Sequence, residues 1–430
     1  MARADQACCA AALSRGLDVP GAVASALAGL AGLPCLAIVE VAAPADPNSG
    51  GRALAHAAQL IREVAPECTV IGSTAHGVIG PQGSLEMEPA VSVWLAHFPD
   101  AGPGLPGTRP RAFRMATVPG PHGGLALTGL PEVRADDRVA VLLADPWSVP
   151  LDDAVAAFAR VDGSLPMVGG LVSGGGRRGD SRLVLDGAVF DNGAVGVILD
   201  GAAPVRTMVS QGCRPIGDPL TVTSAQGNAI AALAGMPALE RVQEVLASLD
   251  PLDQALAARG LHIGIANDSG DGSRAADYVI RGILGVDAAT GALAVGDEVP
   301  VGAVVRLHLR DADSADADLR EVVGSLSAGT EPAGAYLVTC NGRGGAMFTT
   351  SDHDAGIVRA GLGTSAVAGF FAAGEIGPVG GTNHLHGFTA VVLVVDPHPV
   401  TVDVEVAREY GAPDAPPDDL DAELRALLGP

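Results

Sequence analysis

The stretch Val70-Ile71-Gly72-Ser73-Thr74-Ala75-His76-Gly77-Val78-Ile79-Gly80-Pro81 returns far along the chain as Val367-Ala368-Gly369-Phe370-Phe371-Ala372-Ala373-Gly374-Glu375-Ile376-Gly377-Pro378, identical at seven of twelve positions without a gap. Both copies stand in the same company. Residues 36–41 read as a buried strand, 50–64 as a helix with Leu54, Ala57, Ala58 and Ile61 on one face, and 91–95 as a further strand. Around the other copy the same order appears as residues 336–340, 352–362 and 389–395. A middle copy runs through 139–144, 152–161, 167–176 and 194–199, where Gly169 and Gly174 keep the five-residue glycine spacing. This order predicts three β-α-β-β repeats whose glycine segments pass close to one another or to a ligand. The expected fold class is α/β (α+β): mixed β-sheets flanked by helices, with an antiparallel region inserted between the second and third repeats.

The remaining segments read differently. Residues 1–33 look like one or two short Ala-rich helices ended by Gly29, Gly32 and Pro34. A Pro/Gly-rich loop covers 99–110. Within 203–330, residues 221–249 carry a helix broken near Gly235 and Pro237, and 252–258 a shorter one. Residues 262–266, 278–286 and 304–309 alternate like antiparallel strands, 288–291 is a turn, and 311–326 is helical. After Pro397 the chain turns acidic and proline-rich and closes on a small amphipathic helix over 419–428. These patterns divide the chain into segments 1–33, 34–202, 203–396 and 397–430.

All 26 cationic side chains are arginines, because lysine is absent. Schiff-base lysines, a phosphate-loop lysine and a Ser-Lys dyad are thereby excluded. A net charge of −23 with no basic run argues against nucleic acid or an anionic membrane as partner. No apolar run reaches the roughly 18 residues that span a bilayer, and the N-terminus lacks the pattern of a signal peptide. The six cysteines lack CxxC spacing. That usage suits the cytoplasm and a reducing environment rather than a disulfide framework or a zinc site.

The chemistry-bearing residues gather near the C-terminal copy. Cys340-Asn341-Gly342-Arg343-Gly344-Gly345 follows a strand, and its glycines let the backbone turn and present N–H groups to an anion. Arg343 would add a planar fork suited to a carboxylate. A tight turn with Arg343 paired to an acidic neighbour would serve the same pattern. Glu375 lies between Gly374 and Gly377 after an apolar run, so its carboxylate is expected to be partly desolvated and able to bind an ammonium group, act as a base, or pair with Arg343. The first copy has Val78 there. His384 and His386 would share one face of an extended segment. With Glu375 they suggest a two-His-one-carboxylate metal site, but no further ligand sits at recognisable spacing, so no metal and no cofactor is expected. Cys340 with His386 as base is an alternative nucleophilic pair. Asn267-Asp268-Ser269-Gly270-Asp271-Gly272 lacks the closing acid of a calcium loop and reads as a surface turn.

These residues resemble the FIST family, named for F-box and intracellular signal transduction proteins. The C-terminal half carries the more specific motifs: Tyr278-Val279-Ile280-Arg281-Gly282-Ile283, Thr339-Cys340-Asn341-Gly342-Arg343-Gly344, Gly374-Glu375-Ile376-Gly377-Pro378 and Leu385-His386-Gly387-Phe388-Thr389. In the N-terminal half, Gly72-Ser73-Thr74-Ala75-His76-Gly77-Val78-Ile79 fits the family's pattern. The resemblance implies FIST N over about 34–202 and FIST C over about 203–396. It also implies a stand-alone sensory protein that binds a small ligand such as an amino acid and signals to a protein partner. The ligand-binding residues so expected are Cys340, Asn341, Arg343, Gly344, Gly374, Glu375, Asn383 and His386, with Arg281 and His76 from the resembling segments. Arg343 is expected to meet the ligand's carboxylate and Glu375 its ammonium group. The alternative is a Cys-dependent hydrolase or transferase using Cys340 and His386.

Overall fold

Strands Leu36–Ala42, Asp137–Ala144 and Gly334–Cys340 are nearly continuous apolar runs, the signature of strands covered on both faces. Each feeds a crossover helix (Pro47–Val64, Leu151–Asp162 or His353–Leu362) and then a parallel partner (Thr69–Ala75, Met167–Leu171 or Val367–Ala372). The computed structural model describes residues 8–397 apart from 45, 100–107, 120–124, 163–164, 202, 267–277 and 327–330. Gly72 lies opposite Val39, Gly169 opposite Leu142 and Gly369 opposite Leu337. A Cβ at these glycines would stand 2.1, 1.9 and 1.7 Å from the partner's carbonyl oxygen. No side chain fits at that distance. The three glycines hold one equivalent position, so the repeat read from sequence is a repeat of structure.

Each repeat then gives a hairpin away. Gly77–Gly80 with Gly83–Glu86 leaves the first repeat and pairs with Val367–Ala372 of the third. Leu183–Leu185 with Ala188–Phe190 leaves the second and pairs with Thr69–Ala75 of the first. Gly374–Val379 with Thr382–His386 leaves the third and pairs with Met167–Leu171 of the second. The exchange closes a ring of three mixed sheets. Their inner faces share one apolar core that includes Leu36, Trp94, Val141, Val195, Tyr336, Phe370 and Leu393. One acid lies within it: Glu40 accepts from Tyr336 Oη at 2.5 Å and from Ser73 Oγ at 2.6 Å, joining the first and third repeats. Where the chain crosses between sheets, Gly174 N donates to Thr74 O, Ala373 N to Leu171 O and His76 N to Ser173 Oγ. The glycine segments do meet one another.

The insert between the second and third repeats is a barrel. Strands Cys213–Gln226, Val304–Arg310, Leu261–Ala266, Tyr278–Val286, Leu293–Val295 and Ala229–Leu233 pair in that order and close on the first. Two sequence readings are corrected. The Ala-rich N-terminus is not helical throughout: Cys8–Arg15 is a strand antiparallel to Ala90–His97, and only Val19–Gly29 is helix. Pairing with a formed sheet outweighs the weak local preference of alanine for helix. The first half of 221–249 is a hairpin, because Gly227 at φ 56° turns the chain and puts Val222 and Leu233 inside the barrel. Only Ala238–Ser248 is helix there. The calcium-loop-like segment 267–272, most of the loop 99–110 and the acidic tail beyond His398 lie outside the described residues.

Gly369→Ala and Gly169→Ala are expected to lose about 3–5 kcal/mol by clash with a backbone oxygen. Gly282→Ala, with open space where its Cβ would go, is expected to change stability by under ~1 kcal/mol. Denaturant unfolding of the three variants checks this.

Candidate functional site

Cys340 ends the first parallel strand of the third repeat, at the carboxyl edge where α/β sheets leave room for ligands. Beyond it the chain turns at once. Asn341 N donates to Ala372 O at 2.8 Å and Arg343 N to Cys340 O at 2.9 Å. Gly342 lets the ring of Phe388 close in, since a Cβ there would stand 2.8 Å from it. The turn drives Arg343 inward until it is 0% exposed. Its Nε and Nη2 donate to both oxygens of Asp354 at 2.7 and 2.9 Å, and Nη1 donates to Phe388 O at 3.2 Å. Asp354 also accepts from Thr339 Oγ1. His353 links Asp354 outward: its Nδ1 lies 3.0 Å from Asp354 and its Nε2 2.9 Å from Asp316. Burial alone would raise the Asp354 carboxyl. Arg343, with His353 and Thr339, instead holds it well below the ordinary carboxylate range. The buried pair is therefore ionised and self-neutralised.

Glu375 faces this pair from the exchanged hairpin and is also fully buried. Its Oε2 accepts from Thr389 N at 3.1 Å and Thr389 Oγ1 at 2.8 Å. Its Oε1 makes no hydrogen bond of normal geometry. Burial pushes this carboxyl up to about 8 against the pull of Thr389, the Cys340 thiol and the Arg343 charge. Near neutral pH it is mostly protonated. Burial, and secondarily the Glu375 carboxyl, pushes the Cys340 thiol far above its usual value. Phe388 covers the group at φ 62°, a strained left-handed backbone for an aromatic residue. The edge of His262 meets its ring at 4.7 Å, and the Arg310 guanidinium lies over it at 5.2 Å.

Comparison with known proteins agrees with the motifs. The FIST N domain model matches residues 45–236 and the FIST C domain model residues 238–378. The chain belongs to the FIST family. FIST domains are sensory domains of signal transduction. An uncharacterized protein of Mycobacterium tuberculosis is 45% identical over 335 residues, spanning 76% of this chain and 84% of its own length. An uncharacterized protein of Mycobacterium bovis is 43% identical over 338 residues, spanning 76% and 83%. A solved cyanuric acid hydrolase chain matches at 12% identity, covering 91% of this chain and 100% of its own, with a TM-score of 0.30.

The FIST motifs do not all converge. Cys340, Asn341, Arg343 and Glu375 come together, joined by Asp354, Thr389 and Phe388, which sequence reasoning did not choose as site residues. Asp354 carried a signal, as an acid near the start of the crossover helix. Gly344 belongs to a neighbouring contact: a Cβ there would stand 2.3 Å from the Glu86 carboxylate, which accepts from Gly345 N at 2.8 Å. The half-buried His76 lies 4.0 Å from the same Glu86. Gly374 admits Leu171 and Leu385 closely, 3.1 Å from a built Cβ. Asn383 sits elsewhere, clamping Met167 N and Leu165 O. Arg281, on the barrel, binds Leu385 O at 2.6 Å and Asp297 at 2.9 Å. His386 pairs across the hairpin with Glu375, but its Nε2 contacts Gly377 O at 2.9 Å, and burial pushes its imidazole down to about 3. A neutral imidazole so held and a thiol pushed so high are poorly matched for proton exchange near neutral pH. The His384 and His386 rings lie 5.9 Å apart. Among the described residues, no three His, Cys, Asp or Glu side chains are grouped to hold a metal. No described helix is long and apolar enough to cross a membrane.

Removing one partner of the Arg343–Asp354 pair strands a buried charge, so Asp354→Ala is expected to cost roughly 3–5 kcal/mol in denaturant unfolding. The titrations oppose each other. Glu375 and Glu40 are raised from 4.5 to about 8, so the folded protein binds extra protons and stability falls as pH rises through that window. His386 and His308 are lowered from 6.5 to about 3 and 4, so stability also falls as pH drops below 6.5. Melting temperature against pH is expected to peak between these limbs, and Glu375→Gln to flatten the alkaline one.

Proposed function

We propose that this chain is a cytoplasmic sensory protein that binds a small polar, amine-bearing molecule, amino acids among them, at Glu375 and signals to a protein partner. The Glu375 carboxyl carries this reading. One of its oxygens is bonded twice, and the other, beside the Cys340 thiol, makes no hydrogen bond of normal geometry in a fully buried place. In the ionised carboxylate this buried oxygen would be an unmade acceptor, a cost of about 1–3 kcal/mol that a donor on a ligand would recover. An arriving ammonium favours the ionised carboxylate, so binding releases the Glu375 proton. Gly342, Gly387 and Phe388 are partly exposed, and the strained backbone of Phe388, next to the Thr389 that bonds Glu375, suits a segment that moves. Arg343 plays a smaller part than its sequence suggests. Its fork is spent on Asp354, and a ligand carboxylate would have to displace Phe388 O from Nη1. The cytoplasmic setting is supported by six cysteines that are all free.

Thermal-shift measurements with amino acids and simple amines test this. A ligand at about a hundred times its Kd adds about 2.7 kcal/mol of stability. The shift is expected to grow from pH 6 to about pH 8 as Glu375 ionises more readily, and to vanish in Glu375→Gln. No response to any amine or amino acid, or an equal response in Glu375→Gln, would remove Glu375 as the ligand's partner.

A further inference from the structure

The geometry points to a second ligand site, in the second repeat at Asp145, for a small molecule bearing a primary ammonium group. Gly169 faces Leu142 as Gly369 faces Leu337, so Asp145 occupies in the second repeat the place that Cys340 occupies in the third. The surrounding backbone agrees. Asp145 N donates to Gly193 O at 2.9 Å, as Cys340 N donates to Thr389 O at 3.0 Å. Ser148 N then reaches back to Asp145 O as Arg343 N reaches back to Cys340 O. Both positions are carboxyl ends of a parallel strand joined to its partner by a crossover helix, the edge at which α/β sheets accept ligands. The first repeat has the apolar Ala42 there.

Asp145 is 0% exposed. Its Oδ2 accepts from Ser148 Oγ at 2.6 Å, and Ser148 Oγ in turn accepts from Gly193 N at 2.8 Å. Oδ1 has no hydrogen-bond partner. Arg114, two strands away on Arg111–Pro119, donates to Asn192 Oδ1 at 3.0 Å and lies over the Phe190 ring at 4.1 Å. A buried carboxyl with one unused oxygen and no ion-pair partner among the described residues favours a donor that also brings a positive charge. Pro146 and Ser148 are partly exposed, and Trp147 between them is 50% exposed, an aromatic surface of the kind that attracts ammonium groups. The site is independent of Glu375, whose counterpart here is Gly175.

Trp147 supplies the readout. The only other tryptophan, Trp94, is wholly buried in the shared core, so solvent-exposed emission reports on Trp147. Methylammonium chloride is expected to change that emission saturably. Sodium chloride, and tetramethylammonium chloride, which has no N–H to donate, are expected not to. Asp145→Asn should weaken the methylammonium response at least about tenfold, and Glu375→Gln should leave it intact. An unchanged response in Asp145→Asn, or an equal one to tetramethylammonium, overturns the site; so does no saturable response in the folded wild type. Should Asp145→Asn fail to fold, isothermal titration of Glu375→Gln, in which the Asp145 site is intact, with methylammonium against tetramethylammonium decides by the same criterion. Because Glu375→Gln is scored separately, failure of one site leaves the other standing.

Discussion

The fold depends on a contact between two main chains. In each repeat a glycine on the second parallel strand lies against a carbonyl oxygen of the first, at a distance that no Cβ could occupy. In the first and third repeats the chain has left its own sheet by Gly77 and Gly374, and in the second the exchanged hairpin starts at Leu183; each hairpin completes a neighbouring sheet. Close backbone approach at Gly72, Gly169 and Gly369 is therefore joined to the exchange that binds the repeats to one another. The shared core follows from that exchange, because each sheet is completed by a strand from another repeat.

Polar groups inside such a core must find partners or lose their charge. The chain uses both solutions within one site. Arg343 cannot lose its charge and takes a bidentate carboxylate, Asp354, which stays ionised far below its ordinary range. Glu375 and Glu40 take hydroxyl partners instead and rise to about 8, remaining mostly neutral. A buried pair this complete is a structural fixture, whereas Glu375 keeps one oxygen without a hydrogen bond of normal geometry. The proposed ligand contact therefore rests on Glu375 rather than on the more conspicuous arginine.

The repeats have diverged where chemistry is possible. Equivalent strand ends hold Ala42, Asp145 and Cys340, while the crossing segments hold Val78, Gly175 and Glu375. One end is apolar, one places an acid on the strand, and one places the acid on the segment opposite. A common scaffold with different side chains at one edge is how a repeated fold acquires separate sites without new backbone geometry.

The sequence by itself determined the repeat, the fold class and the gathering of polar motifs in the third repeat, because spacing and apolar runs are local properties. Glycine at five-residue spacing, strand and helix periodicity, and the FIST motifs around Cys340 and Glu375 all needed only neighbours in the chain. Long-range pairing lay beyond that reach. The Ala-rich strand Cys8–Arg15 becomes a strand only against Ala90–His97, and the hairpin at Gly227 only within the barrel. Tertiary structure alone decided that Arg343 belongs to Asp354, that Asn383 clamps a different sheet, and that His386 is held by a backbone carbonyl. The physical reason is the same for each. A polar side chain in a dry interior takes the partner that folding brings within about 3 Å, and that partner is set by which sheet receives which hairpin.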